Sequence, residues 1–372
     1  MIYEIFGKKI RVEYEDDNIR QVLAPWLENY NILNESKDID VDINFVNEID
    51  ISNKQFYNSP SDYFIFNNGV FINKGLHKLY FEKKYNNKLL IKIKYNYTKN
   101  FIKMYKQKIS NIGYHSTLEN VGAFFHEMVL VYMQHLFYDR ALIHSSAMKS
   151  NKSNKIYLFG GSGGVGKTSL ELLLCNKLEY SFIADDISVI DEEGCVYPNL
   201  AYPKIYAYNV ENNEQLKRKI FENRDFLDKF QWFFKIYKRG PKSVRRAINP
   251  NILYGKIERN KNKIDKYFIL QKTNMVTEIT IEKIDYQIAS KATLNIIQNE
   301  YAYETIHFKW AEYGTMFENS ITPIVELNKV YDEWHKIYNN IFENIETYVI
   351  KLPINLSHNK FLEFFTNYFK DK

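Results

Sequence analysis

Alternation at period two dominates the first third of the chain. Over 38–46, Ile39, Val41, Ile43 and Phe45 fall on one face and Asp40, Asp42 and Asn44 on the other. That is the pattern of a half-buried strand. Residues 90–97 repeat it, with Ile91, Ile93, Tyr95 and Tyr97 against Lys92, Lys94 and Asn96. Between them, 63–66 and 70–72 flank Asn68-Gly69, a dipeptide that supplies the positive φ angles of a tight hairpin turn. One helix is predicted over 19–30. The row Asp38, Asp40, Asp42 offers carboxylates, but at period two it reads as the wet face of a sheet rather than a metal site.

The period then lengthens. Residues 118–138 form one long apolar run that predicts a buried helix. It carries His126, Glu127 and His135, whose spacing is not that of the zinc motif H-E-x-x-H. Residues 141–148 read as a strand with His144 at its centre. A polar turn over 149–155 leads to the apolar strand 156–159, and a glycine-rich stretch and a leucine-rich helix follow. Residues 180–184 are a further apolar strand, ending in Asp185-Asp186, and 187–190 and 195–197 continue as strands. Residues 211–263 are polar and charged, with one aromatic cluster over 226–234. Strands are predicted over 267–271, 276–284 and 347–352, with mainly helical pattern from 290 onward and a final aromatic helix over 359–369.

Composition changes this picture little. The 372 residues are 45% hydrophobic and 26% charged, enough for a large core in two domains or one large one. The net charge of +5 is too mild to argue for nucleic acid, and none is expected as a partner. The two cysteines, Cys175 and Cys195, sit in no metal-ligand spacing and argue against a disulfide scaffold. No apolar run approaches the ~20 residues of a membrane span, and the N-terminus lacks a signal-peptide core. A cytoplasmic protein without a membrane partner is therefore expected.

The chemistry concentrates after the strand 156–159. Gly161, Gly166, Lys167 and Thr168 match the P-loop pattern G-x-x-x-x-G-K-[ST] between a strand and a helix. Polyphosphate oxygens need several backbone N–H groups at once, and glycines let the chain wrap closely. Thus Gly161, Ser162, Gly163, Gly164, Val165, Gly166, Lys167, Thr168 and Ser169 form the candidate nucleotide cradle. Lys167 can reach the β/γ-phosphates, and the Thr168 hydroxyl can ligate Mg²⁺. Acidic residues ending a strand soon after the P-loop helix are the arrangement that holds Mg²⁺ in nucleotide sites, which singles out Asp185 and Asp186. Six cations between Lys235 and Arg246 could meet an anion or form a solvated loop. Arg245 and Arg246 are the candidates there for contacts to substrate or phosphate.

His144 in a strand, then GGSGGVGKT, then a strand ending in Asp185-Asp186, then Tyr202-Pro203-Lys204-Ile205, resembles the HPr kinase/phosphorylase superfamily over about 116–290. The resemblance implies an α/β (α+β) fold: a P-loop core like phosphoenolpyruvate carboxykinase on a twisted mixed sheet. Around it would lie a β-rich region over 1–115, a candidate recognition unit, and a helical C-terminal extension closing the core unit 116–372. It implies ATP- and Mg²⁺-dependent phosphoryl transfer to a serine or threonine hydroxyl. Asp185 would be the general base, Asp186 with Thr168 the metal ligands, and His144 a neighbour of the phosphates. By analogy a homo-oligomer is an expectation. The glutamate-arginine-glycine signature of true HPr kinases is not found after the Asp-Asp pair, so HPr itself is not the expected acceptor. A peptide, such as a ribosomally made precursor, is expected instead. The alternatives are a free small molecule such as an amino acid as acceptor, or a nucleotide-binding switch without transfer.

Overall fold

The computed structural model describes residues 1–34, 38–56, 62–73, 75–211, 213–303, 305–317 and 321–371. It is a mixed α/β protein. The alternating N-terminal segments form β1 (Ile2–Ile5), β2 (Lys8–Tyr14), α1 (Asp17–Leu27), β3 (Asn31–Leu33), β4 (Val41–Phe45), β5 (Tyr63–Phe66), β6 (Gly69–Ile72), β7 (His77–Lys83) and β8 (Leu89–Tyr95). These strands make one eight-stranded mixed sheet in the order β3-β1-β2-β4-β8-β7-β6-β5. The Asn-Gly hairpin pairs Phe66 with Gly69, and Asn68 takes φ +56° as that turn requires. The acidic row is the sheet's polar face: Asp42 pairs with Arg11 at 3.2 Å and Asp40 accepts the Lys9 N–H at 2.7 Å.

After α2 (Phe101–Ser110), the apolar run expected as one helix is instead broken. A 3₁₀ turn (Leu118–Asn120), the short α3 (Val121–Phe125), a π turn (His126–Leu130) and a 3₁₀ turn (Tyr132–Leu136) follow one another. The cause is competition for backbone carbonyls. His126 Nδ1 bonds Gly122 O at 2.9 Å, Gln134 Nε2 donates to Leu130 O at 2.9 Å, and His135 Nδ1 bonds Tyr132 O at 3.0 Å. Gly122 also lies so close to the Trp26 indole that a Cβ there would stand 2.1 Å from it.

The second half contributes β9 (Arg140–Ile143), β10 (Ser145–Ser150), β11 (Ile156–Gly160), α4 (Lys167–Lys177), β12 (Tyr180–Ala184), β13 (Ser188–Asp191) and β14 (Cys195–Tyr197). Next come β15 (Lys204–Tyr206), α5 (Ala207–Val210), α6 (Glu214–Phe221), α7 (Phe226–Arg239), β16 (Arg245–Ala247) and α8 (Pro250–Tyr254). The chain closes with β17 (Asn262–Lys263), β18 (Lys266–Thr273), β19 (Thr280–Lys283), α9 (Tyr286–Glu300), α10 (Ile306–Thr315), α11 (Leu327–Glu343), β20 (Glu346–Pro353) and α12 (His358–Phe369). The central sheet runs β12-β10-β11-β18-β20-β19 and is mixed, with β18 parallel to both β11 and β20. A four-stranded sheet, β17-β14-β13-β9, lies alongside.

One continuous apolar core joins the N-terminal sheet to these layers. Trp26 stacks on Tyr202 with ring centroids 3.7 Å apart, and the Leu200 N–H donates to Tyr30 Oη at 2.9 Å. No helix among the described residues is long and apolar enough to cross a membrane.

Candidate functional site

The site lies where two antiparallel strands change sheets together. β10 pairs with β12 in the central sheet, whereas their continuations β9 and β13 pair in the neighbouring one. The expected strand over 141–148 is therefore two strands, interrupted at His144, and the partner strand is interrupted at Asp185–Ile187. Both breaks face each other, and His144 Nε2 stands 3.3 Å from Asp186 Oδ1. Asp186 takes the left-handed conformation, φ +65°, which a short polar side chain tolerates. The Ile187 N–H closes back on Asp185 O at 2.7 Å. Two adjacent carboxylates are thereby turned apart: Asp185 inward, Asp186 outward to solvent.

β11 delivers the glycine-rich loop to the same place. Gly161 has φ +138°, and a Cβ there would stand 2.6 Å from Leu270 O, so no other residue fits. Gly166, at φ +112°, ends the loop and opens α4. In this state Lys167 Nζ folds back onto the loop, donating to Gly161 O at 2.8 Å and Ser162 O at 3.1 Å. The side chain is buried. Burial lowers its pKa, opposed by the charges of Asp186, Asp185 and Glu300. The Thr168 hydroxyl faces Asp185 Oδ1 at 3.5 Å, and Ser146 Oγ donates to the same oxygen at 3.3 Å. Gly163 N–H donates to Glu300 Oε1 at 2.8 Å, and Lys272 Nζ to Gly164 O at 2.8 Å. Ser169, on the same cleft, accepts from Asn209 Nδ2 at 3.0 Å.

Environment pulls the two carboxylates apart. Burial first, then the charge of Asp186, raises the Asp185 carboxyl above its usual range. For Asp186 desolvation also works upward, but the His144 hydrogen bond and the charges of His144, Lys167 and Lys204 outweigh it and hold it below the usual range. Beneath them Glu171, on the buried face of α4, is raised well above the usual range by burial and by the Asp185 charge, and the Tyr254 hydroxyl donates to it. The donors that converge here, a hydroxyl and ionised carboxylates, are hard oxygen ligands suited to Mg²⁺. Elsewhere, Asp191, Glu193 and Cys195 gather ligand atoms, but Lys261 already pairs with Asp191 at 3.4 Å and Glu193 at 2.7 Å.

A cleft of about 620 Å³ opens over Gly163–Ser169. Lys204, Lys242, Arg245 and Lys272 make its walls basic, while Leu352, Leu356 and Phe361, beside His358, form a mainly apolar end. Arg245 is fixed there by Tyr206, donating to its hydroxyl at 2.8 Å. Arg246 is not at the cleft. It is fully buried, pairs with Asp228 at 2.6 Å and bonds Ile112 O, so the expected phosphate contact does not fit its place. Lys235 is likewise buried and holds Ser110 O. Across Asp185, Asp186 and Lys204 a second cavity of about 330 Å³ continues from the cleft, lined by Glu127, His144, Tyr202, Glu300 and Tyr301 among others.

The structure thus brings together Gly161–Thr168, Asp185, Asp186, His144 and Arg245, and sets Arg246 apart. Ser146, Glu171, Lys272, Glu300 and Phe361 reach the site without having been singled out in the sequence. Only Glu171 left a local trace, as an acid on a leucine-rich helix four positions after Lys167. No protein-family model matches this chain, and no curated protein matches it.

Proposed function

We propose that the protein is an ATP-dependent kinase that phosphorylates a serine or threonine hydroxyl, with a peptide as the acceptor. One observation carries the reading: the phosphate loop and a carboxylate pair with separated pKa values face each other, Thr168 to Asp185, across a cleft that continues into a second cavity. Paired carboxyls driven apart by environment divide acid–base labour.

The loop N–H groups and Lys167 hold the β/γ-phosphates, and Arg245, Lys242 and Lys272 add positive charge along the cleft. Thr168 and Asp186 are the residues that would hold Mg²⁺, which when bound neutralises charge on the phosphates. The acceptor hydroxyl enters from the second cavity and gives its proton to Asp185. Its oxygen forms the new bond to the γ-phosphorus, the bond from that phosphorus to the β–γ bridging oxygen breaks, and ADP leaves with the electron pair. His144 keeps Asp186 ionised and oriented. A free amino acid as acceptor is the second reading, favoured by a cavity of about 330 Å³ that admits a molecule of that size.

The test is transfer of label from γ-labelled ATP to serine- and threonine-containing peptides and to free serine and threonine. Acid-stable phosphoester on a peptide is the expected product, and label on the free amino acid alone selects the second reading. Nucleotide binding with no labelled acceptor of either kind leaves the switch without transfer as the better description.

A further inference from the structure

Helix α7 turns its aromatic residues outward. Its inner face is fixed: Gln231 Nε2 donates to the Ile109 and Asn111 carbonyls, Lys235 Nζ to Ser110 O, and Trp232 is buried. The opposite face carries Phe226, Leu227, Phe230, Phe233, Phe234 and Tyr237, with Phe226 77%, Phe230 59% and Tyr237 87% exposed. At 100° per residue these six side chains fall within an arc of about 120°. Lys229 lies at one edge of that arc and Lys238 at the other, both exposed. Lys238 Nζ stands 5.7 Å over the Phe234 ring, and Lys217 of α6 reaches 5.8 Å over Phe233. Arg239 carries the positive charge to the end of the helix.

We propose that this aromatic, lysine-edged face of α7 is a docking surface for an anionic lipid membrane. An aromatic stripe about 17 Å long, bordered by a lysine on each side, is what an interfacial helix needs. The rings enter the headgroup–acyl boundary and the ammonium groups meet the phosphates. A second copy of the chain is the poorer occupant, because it would bring these lysines against like charges. A protein partner would suit the aromatic rings but not the lysines that border them on both sides. Lack of a spanning helix concerns crossing a membrane, not lying on one. The proposal does not depend on the kinase reading.

The full chain should cosediment with vesicles of phosphatidylcholine and phosphatidylglycerol about tenfold or more tightly than with phosphatidylcholine alone, and less so as salt rises. Phe230→Ser with Tyr237→Ser, at exposed positions that leave the melting temperature unchanged, should weaken that binding about tenfold or more. Lys229→Gln with Lys238→Gln keeps the stripe and should weaken both the binding and its salt dependence. Any of three results overturns the proposal: no binding to the mixed vesicles, binding indifferent to both double variants, or a dimer that the serine variant dissociates in a protein that ignores vesicles.

Discussion

Glu300 holds the Gly163 N–H with a carboxylate oxygen, an anion standing where a phosphate loop would bind its ligand. Lys167 meanwhile satisfies loop carbonyls. On the proposed reading, a phosphate bound by this loop would compete with Glu300 for the Gly163 amide. Glu300→Ala removes the competitor and should tighten ADP binding ~3–10-fold, the scale of one exposed charged contact. Calorimetric titration reads this directly, and unchanged or weaker binding would mean that the carboxylate does not compete. This residue was not legible in the sequence, because the chain between Gly163 and Glu300 folds through several strands before returning. The loop between strand and helix was legible because its pattern is contiguous: the glycines, lysine and threonine follow one another in the chain.

At the scale of elements, the basic stretch 235–246 proves to be three structures with separate tasks. Lys235 and Arg246 are internal ties, Arg245 faces the cleft, and Lys238 and Arg239 are exposed at the end of α7. Arg246→Ala would remove one of the two arginines paired with buried Asp228, leaving Arg224 at 2.7 Å, and should cost about 1–3 kcal/mol in urea unfolding. Arg245→Ala should leave the unfolding curve in place and lower turnover about tenfold or more. If instead both act only on stability, Arg245 has no part in the chemistry. Charge counting could not make this division, since a run of cations looks the same whether it is solvated or bonded internally. The breaks at His144 and in 118–138 were hidden for a related reason. The apolar pattern continues through them, and what interrupts the backbone is a change of sheet in one case and side chains bonding carbonyls in the other. The β hairpin, the alternating strands and the P-loop helix depend on local pattern alone and appeared where expected.

For the whole molecule, one core binds the N-terminal sheet to the central-sheet layers, and its buried histidines should make that union sensitive to acid. His126 and His135 are held down at about 4 by burial, with their backbone hydrogen bonds opposing. A folded pKa below the unfolded value of about 6.5 means a contribution that is complete above pH 6.5 and lost as pH falls toward 4. Each histidine can withdraw up to about 3 kcal/mol over that window. Asp185 and Glu171, raised on folding, act in the opposite sense, so the histidine effect is read by difference. The variant His126→Gln with His135→Gln should lose less stability than the parent between pH 6.5 and 4, whatever its stability at neutral pH. Parallel melting curves across that range would show that these rings do not titrate with unfolding.

The kinase reading stands on the separation of Asp185 from Asp186, and comparing their asparagine variants in single-turnover transfer, with Mg·ATP-analogue binding measured alongside, tests it most directly. Asp185→Asn should bind the nucleotide nearly as the parent does and transfer ~10²–10⁴-fold more slowly, the usual loss for a general base. Asp186→Asn should be impaired in both. Exchanged phenotypes would reverse the two roles and keep the kinase. Transfer at the parental rate in both variants would contradict it and leave the carboxylates as the turn between two sheets.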